Sequence, residues 1–256
     1  MADTLALVTG ASDGIGYELA RRAVEDGHRL VICSDSDAIE EAADKLRRLG
    51  GEVETVQADL SGRRGVETLW QTVEHRKIDL FFANVGQALG HAFHEQKWRD
   101  VKRLIDLNVL QTTSMLHRVG RKMRAQGGGR ILVTGSLGGF VPGPYDAVYN
   151  ATKSYLDSLC YALQDEWKEN DVVLTCLMPG PVETEIFDRA GMQDAPIEDA
   201  KKEDPTDVAR KGYEALMKGE RGAIPSLPSK VITMLAGIAP QGLMAEVHRW
   251  GARPRD

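Results

Sequence analysis

The sequence predicts an α/β protein, one doubly wound domain whose seven-stranded, mostly parallel sheet is flanked by helices on both faces. Three observations predict it. Short apolar runs alternate with longer stretches of helical periodicity along most of the chain. Several of the runs are rich in Val, Ile and Leu, as strands covered on both faces require. The first run leads through a cluster of glycines into a helical pattern.

In order, the predicted strands are 5–9, 29–33, 53–58, 78–83, 130–134, 172–177 and a weaker 222–224. The helical segments between them are 14–25, 38–49, 65–75, 98–124, 149–169 and 206–218. Gly50-Gly51 and Gly127-Gly128-Gly129 stand where helices should stop. The alternation carries past the middle of the chain, so a single domain over residues 1–256 is expected. Two regions depart from the pattern. Residues 183–204 have weak periodicity and exceed what a connection needs, which marks a substrate loop. The tail, 225–256, places Val231, Ile232, Met234, Leu235, Ile238, Leu243, Met244, Val247 and Trp250 around Pro240 and wants a surface to cover. Its expected roles are a pocket cover or subunit interface first and a membrane contact after these, because Lys230, His248, Arg249, Arg253 and Arg255 give modest basic support.

Composition narrows the function. Against 32 Lys and Arg stand 38 Asp and Glu, a net charge of −6 that argues against nucleic acid as a partner. Hydrophobic residues at 42% and charged residues at 27% describe a folded chain. Cys33, Cys160 and Cys176 show neither an even count nor a C-x-x-C spacing, so no disulfide framework or thiolate metal site is suggested. From Asp3 the chain runs straight into Leu5-Ala6-Leu7-Val8 without the features of a secretory signal, and the cytoplasm is the expected location. His91 and His94 stand three apart with only Glu95 beside them, which reads as a solvated or substrate-rim loop, and no metal is expected.

The chemistry starts at Gly10-Ala11-Ser12-Asp13-Gly14-Ile15-Gly16, a strand-to-helix turn where a dinucleotide pyrophosphate can approach bare backbone and a helix N-terminus, as in Rossmann-type folds. An acid at the end of the second strand receives the ribose hydroxyls of NAD, and Asp35 stands there beside Ser34. Tyr149 is the one tyrosine with a lysine four positions later, Lys153, which a helix places on the same face. A phenol with a reference pKa of about 10 is a poor base at neutral pH and needs a nearby cation to favour its ionised form.

On these motifs the sequence resembles the short-chain dehydrogenase/reductase family over residues 4 to about 220. Thr9 to Gly16 resembles its cofactor turn, Asp59-Leu60 its adenine-contacting element, and Ala83-Asn84-Val85-Gly86 its N-A-G element with Ala83 and Val85 in place of the commoner Asn and Ala. Pro179-Gly180, Val182 and Thr184 follow the sixth strand where the family contacts the nicotinamide end. The resemblance implies a catalytic set of Asn108, Ser136, Tyr149 and Lys153. Tyr149 would exchange a proton with the substrate oxygen while hydride moves between substrate carbon and nicotinamide. Lys153 would hold the nicotinamide ribose and lower the Tyr149 pKa, Ser136 would donate to the substrate oxygen, and Asn108 would kink its helix and hold a water in a proton relay. Asp13, Ser34 and Asp35 make the 2′-phosphate pocket acidic, so NAD is expected ahead of NADP, with Arg21, Arg22 or Lys45 as the cations that could reach a phosphate.

The expected activity is an NAD(P)-dependent interconversion of a secondary alcohol and a ketone. A non-catalytic dinucleotide-binding or sensing protein is the alternative, and the length disfavours a nucleotide-sugar epimerase or dehydratase. Gly138 to Pro142 with Phe187, Met192 and Ile197 would line the mouth and favour a hydrophobic substrate. A homodimer or homotetramer is implied by the family.

Overall fold

A computed structural model describes residues 4–184, 186–196, 202–236 and 239–253. Strands β1 (Leu5–Thr9), β2 (Arg29–Ser34), β3 (Val53–Gln57), β4 (Leu80–Ala83), β5 (Gly129–Thr134), β6 (Val172–Leu177) and β7 (Gly222–Ala223) form one sheet in the order β3-β2-β1-β4-β5-β6-β7. Every pairing is parallel. The expected sheet is therefore present, with β3, β4 and β7 shorter than their apolar runs.

The two faces follow from the two-residue period of a strand. Leu5 and Leu7 of β1 enter one core with Phe81, Ile131 and Val133, and Ala6 and Val8 enter the other with Leu30, Phe82 and Leu132. Helices α3 (Arg63–Val73), α5 (Thr112–Ala125) and α6 (Ala147–Trp167) cover the first face through residues such as Leu69, Val119 and Cys160. Helices α1 (Gly14–Glu25), α2 (Ala38–Arg48) and α8 (Pro205–Lys218) cover the second through Leu19, Leu46 and Val208. β2 and β4 flank β1 on opposite sides, so the strand order runs outward from it in both directions and a crevice opens at the carboxyl ends of the strands.

The predicted helix 98–124 is not continuous. It runs as α4 (Trp98–Ile105), a π-helical stretch Asp106–Gln111 and α5. Asn108 lies inside the stretch, and its side chain explains the break: Nδ2 donates to the Gln87 carbonyl (2.9 Å) and to Thr152 Oγ1 (3.0 Å), while Oδ1 accepts from Gln87 N–H (3.0 Å). Turning that amide toward the loop after β4 takes the widened helical turn typical of functional positions.

The long loop holds a short helix, α7 (Ile186–Arg189), and pairs Val182 with Glu203. The tail forms α9 (Leu227–Ala236) and α10 (Gln241–Ala252), with Pro240 capping the second. Ile197, Ile238 and Arg255 lie outside the described residues, as do the side chains of Phe187 and Ile232.

Candidate active site

A cleft of about 610 Å³ follows the crevice from the ends of β2 and β3 to the start of α6. Eighteen of the twenty predicted site residues line it; Gly16 and Asn108 stand behind its wall. At the turn, Gly10 takes a left-handed φ of 68° and donates its N–H to the Cys33 carbonyl (2.8 Å). A Cβ on Gly16 would overlap the Gly10 carbonyl oxygen and lie 2.5 Å from Asn84 Nδ2. Bare backbone on both sides of the bend is what lets α1 start directly behind β1 with its first N–H groups facing the cleft. Asn84 locks this arrangement: Nδ2 donates to the Gly10 carbonyl (3.0 Å) and Oδ1 accepts from Thr134 (3.0 Å), so the element after β4 ties three strand ends together.

At the far end, the charge pattern differs from the expected one. Arg103 of α4 donates to Asp59 (2.5 Å), to Ser61 (2.6 Å) and to Asp35 (3.2 Å). Burial opposes ionisation of Asp59, but Arg103 and the Ser61 donors outweigh it and hold its carboxyl below the usual range. Arg189 of α7 reaches Asp13 at 3.2 Å. The cations expected near a phosphate are engaged elsewhere: Arg21 and Arg22 pair with Glu25, and Lys45 pairs with Glu41, each within its own helix. Sequence reasoning missed Arg103 because it arrives from an element 68 residues past Asp35, and no spacing rule links them.

At the near end, α6 brings Tyr149 and Lys153 beside Ser136. The Ser136 side chain accepts from Gly138 N–H (3.0 Å) and stands close enough to the Tyr149 phenol to pull its pKa down. Lys153 Nζ donates to the Thr134 carbonyl (2.8 Å) and lies 5.7 Å from the Tyr149 ring centroid. A Cβ on Gly86 would stand 3.4 Å from both Lys153 Nζ and Asn108 Oδ1, which places these two beside one another. The expected lowering of the phenol pKa does not dominate here. Burial pushes Tyr149 up, with Ser136 pulling the other way, and burial also pushes Lys153 down against the attraction of Asp157.

Of the residues 138–142 expected at the mouth, two line the cleft. Gly138 and Val141 line it, but Phe140 packs against the core and Met192 joins Ala190, Ala195 and Ala252 in a separate cluster. From the tail, the residue that enters the cleft is His248; Leu243, Val247 and Trp250 remain exposed. Asp146, one turn before Tyr149, is buried in the same wall, and burial pushes its carboxyl up to about 8 against the Leu89 backbone donor. A folded-state value above the ordinary one favours the protonated form in the fold. The stability it contributes is complete at low pH and is lost as pH rises through about 8. Between pH 5 and pH 9 the advantage of wild type over Asp146→Asn should therefore fall by roughly 4 kcal/mol. Urea unfolding at both pH values measures this; a constant difference would mean that the folded chain carries the ionised carboxylate throughout.

A parallel doubly wound sheet with a glycine turn at its switch point, and a Ser, Tyr and Lys at the other end of the same cleft, defines the class of nicotinamide-dinucleotide-linked oxidoreductases built on one Rossmann-type sheet. The chain belongs to the short-chain dehydrogenase family, whose model matches residues 4–195. It is 32% identical to human 17-beta-hydroxysteroid dehydrogenase type 1 over 196 residues, 74% of this chain and 60% of that relative's length. A short-chain dehydrogenase from Sphingobium yanoikuyae in complex with NADPH superposes with a TM-score of 0.83 at 27% identity, covering 95% of this chain and 96% of the other. The bulky-bulky ketone specific alcohol dehydrogenase from Comamonas testosteroni gives 0.81 at 25% identity, covering 96% and 95%. Among the described residues, no helix is long and apolar enough to cross a membrane.

Proposed function

We propose that this family member interconverts a secondary alcohol and a ketone, with NAD as the preferred cofactor and Tyr149 as the acid–base group. The observation that carries the reading is the placement of Ser136, Tyr149 and Lys153 in one cleft with the Gly10–Gly16 turn. The cleft fits a dinucleotide: its glycine bend leaves no room for side chains, and its length runs from the Asp35 and Asp59 carboxylates to Tyr149. Gly14, Ile15, Ser12 and Asp13 would hold the pyrophosphate end, Asp35 the adenosine ribose, Asp59 and Leu60 the adenine, and Pro179, Gly180, Val182 and Thr184 the nicotinamide side. The bound cofactor supplies or accepts the hydride.

In the reductive direction Tyr149 donates its phenolic proton to the carbonyl oxygen as hydride reaches the carbonyl carbon, leaving an alcohol and a phenolate. A buried phenol that keeps its proton at neutral pH suits that step. Ser136 steadies the negative charge that grows on the oxygen, and the Lys153 ammonium offsets the phenolate. Asn108, bonded to Gln87 and Thr152 and standing near Lys153, is the residue for a relay that returns the proton from solvent. Exposed Leu110 and Tyr155 on adjoining faces support self-association as a homodimer or homotetramer.

The NAD preference follows from charge. Two carboxylates, Asp35 and Asp59, share one guanidinium, so a 2′-phosphate would enter a site already negative. Fluorescence titration of the wild type should show NADH bound at least about tenfold more tightly than NADPH, with Asp35→Arg reversing the order. NADPH bound more tightly by wild type would mean that Arg103 leaves Asp35 to meet the phosphate. Binding of neither would remove the oxidoreductase assignment of the cleft.

A further inference from the structure

The substrate end of the cleft holds more hydrogen-bonding capacity than carbonyl reduction uses. Asp146, Asn150 and His248 all line it, the first two 7% and 3% exposed. Asp146 Oδ1 and Asn150 Oδ1 are sealed from solvent and have no hydrogen-bond partner. A buried polar group without a partner is costly, so two together in one wall demand an explanation.

Their geometry points at the reacting centre. Asn150 Nδ2 donates to the Val141 carbonyl (3.1 Å) and stands 3.3 Å from His248 Nε2, which orients the amide and leaves Oδ1 over. A Cβ on Gly138 would lie 2.8 Å from that oxygen and 3.4 Å from Ser136 Oγ, so the two flank a single position. Just before Asp146, Tyr145 holds a left-handed φ of 69°, a conformation that a non-glycine residue adopts at a cost and that persists where the surroundings enforce it. Burial pushes the Asp146 carboxyl toward its protonated form, in which it can donate, and one helical turn along Asn150 Oδ1 is an acceptor.

We propose that Asp146, Asn150 and His248 form a polar subsite beside Ser136 that receives a second hydroxyl group of the substrate, so that the substrates are hydroxyl-bearing ketones and diols on an apolar frame. The inference rests on the alcohol–ketone reading above. One hydroxyl accepts from the Asp146 acid and donates to Asn150 Oδ1, satisfying two orphans at once, while His248 closes the wall from α10. A ligand without that hydroxyl leaves the orphans unpaired, and sites built to bond a hydroxyl reject its absence strongly.

The test is calorimetric binding of cyclohexanol and of 1,2-, 1,3- and 1,4-cyclohexanediol to the protein saturated with NADH, for wild type, Asp146→Leu and His248→Ala. Wild type should bind at least one diol about tenfold more tightly than cyclohexanol, and either substitution should bring that ratio to within about twofold. If no diol binds more tightly than cyclohexanol in wild type, or if the ratio survives both substitutions, the subsite is overturned. His248→Ala, on an outer helix, keeps the test decisive should Asp146→Leu not fold. NADH fluorescence in the same samples separates the two readings: no NADH binding removes the oxidoreductase reading and the subsite with it, whereas NADH bound with equal alcohol affinities removes the subsite alone.

Discussion

Tyr149→Phe should lower ketone turnover by roughly three orders of magnitude, within the range that general acid–base groups contribute. It should leave NADH affinity within about twofold, because the substitution keeps the ring and removes only the phenol oxygen. The ring stays against Lys153, whose ammonium is anchored by the Thr134 carbonyl and not by the phenol. Ser136 is not left unpaired, since Gly138 N–H still donates to it. Loss of turnover with intact binding therefore isolates the proton-transfer step. Steady-state NADH oxidation with a ketone, beside a fluorescence titration, measures both quantities. A variant keeping a tenth of the wild-type rate would move the acid–base role to another group, and a wild type that binds NADH yet turns over no ketone would favour a dinucleotide sensor.

Gly16→Ala carries the second large effect. Its new methyl would overlap the Gly10 carbonyl oxygen, which is backbone and cannot rotate away, and would press on the Asn84 amide that holds the same carbonyl. Helix α1 cannot retreat, because Leu19, Ala20 and Ala23 are fully buried against the sheet. Overpacking of a rigid site costs about 1–3 kcal/mol or more, and displacement of the turn should weaken NADH binding by roughly a hundredfold. Gly62→Ala is the steric control: its Cβ would find nothing nearer than the Asp59 carbonyl at 4.0 Å, so it should lose only the helix N-cap preference, about 1 kcal/mol, and leave NADH affinity within about twofold. Thermal unfolding and NADH titration of the two variants read the contrast. Equal behaviour would mean that the bend relaxes and that its glycines are replaceable.

These two residues illustrate what can be read along a chain. Gly16 is legible because a strand period, a bend and a helix period meet there within a few residues, and Tyr149 because four helical steps return Lys153 to its face. The break in the helix at Asn108 was expected from the family resemblance and not from periodicity, since the apolar pattern runs through 98–124 unbroken, and its π-helical form is set by partners at Gln87 and Thr152. Met192 shows the opposite failure: an apolar residue in a substrate loop reads as pocket lining, yet Ala252 from the tail gives it a core of its own.

Spacing within one element or between neighbours was enough to read the parallel sheet, its two covered faces, the glycine bend and the Tyr–Lys pair. The electrostatics of the cleft needed the folded chain. Arg103 reaches Asp35 and Asp59, Arg189 reaches Asp13, and His248 meets Asn150 across 98 residues of chain. Charge and hydrogen bonding act through space, and burial sets their strength, so they follow from where the folded chain brings its ends together.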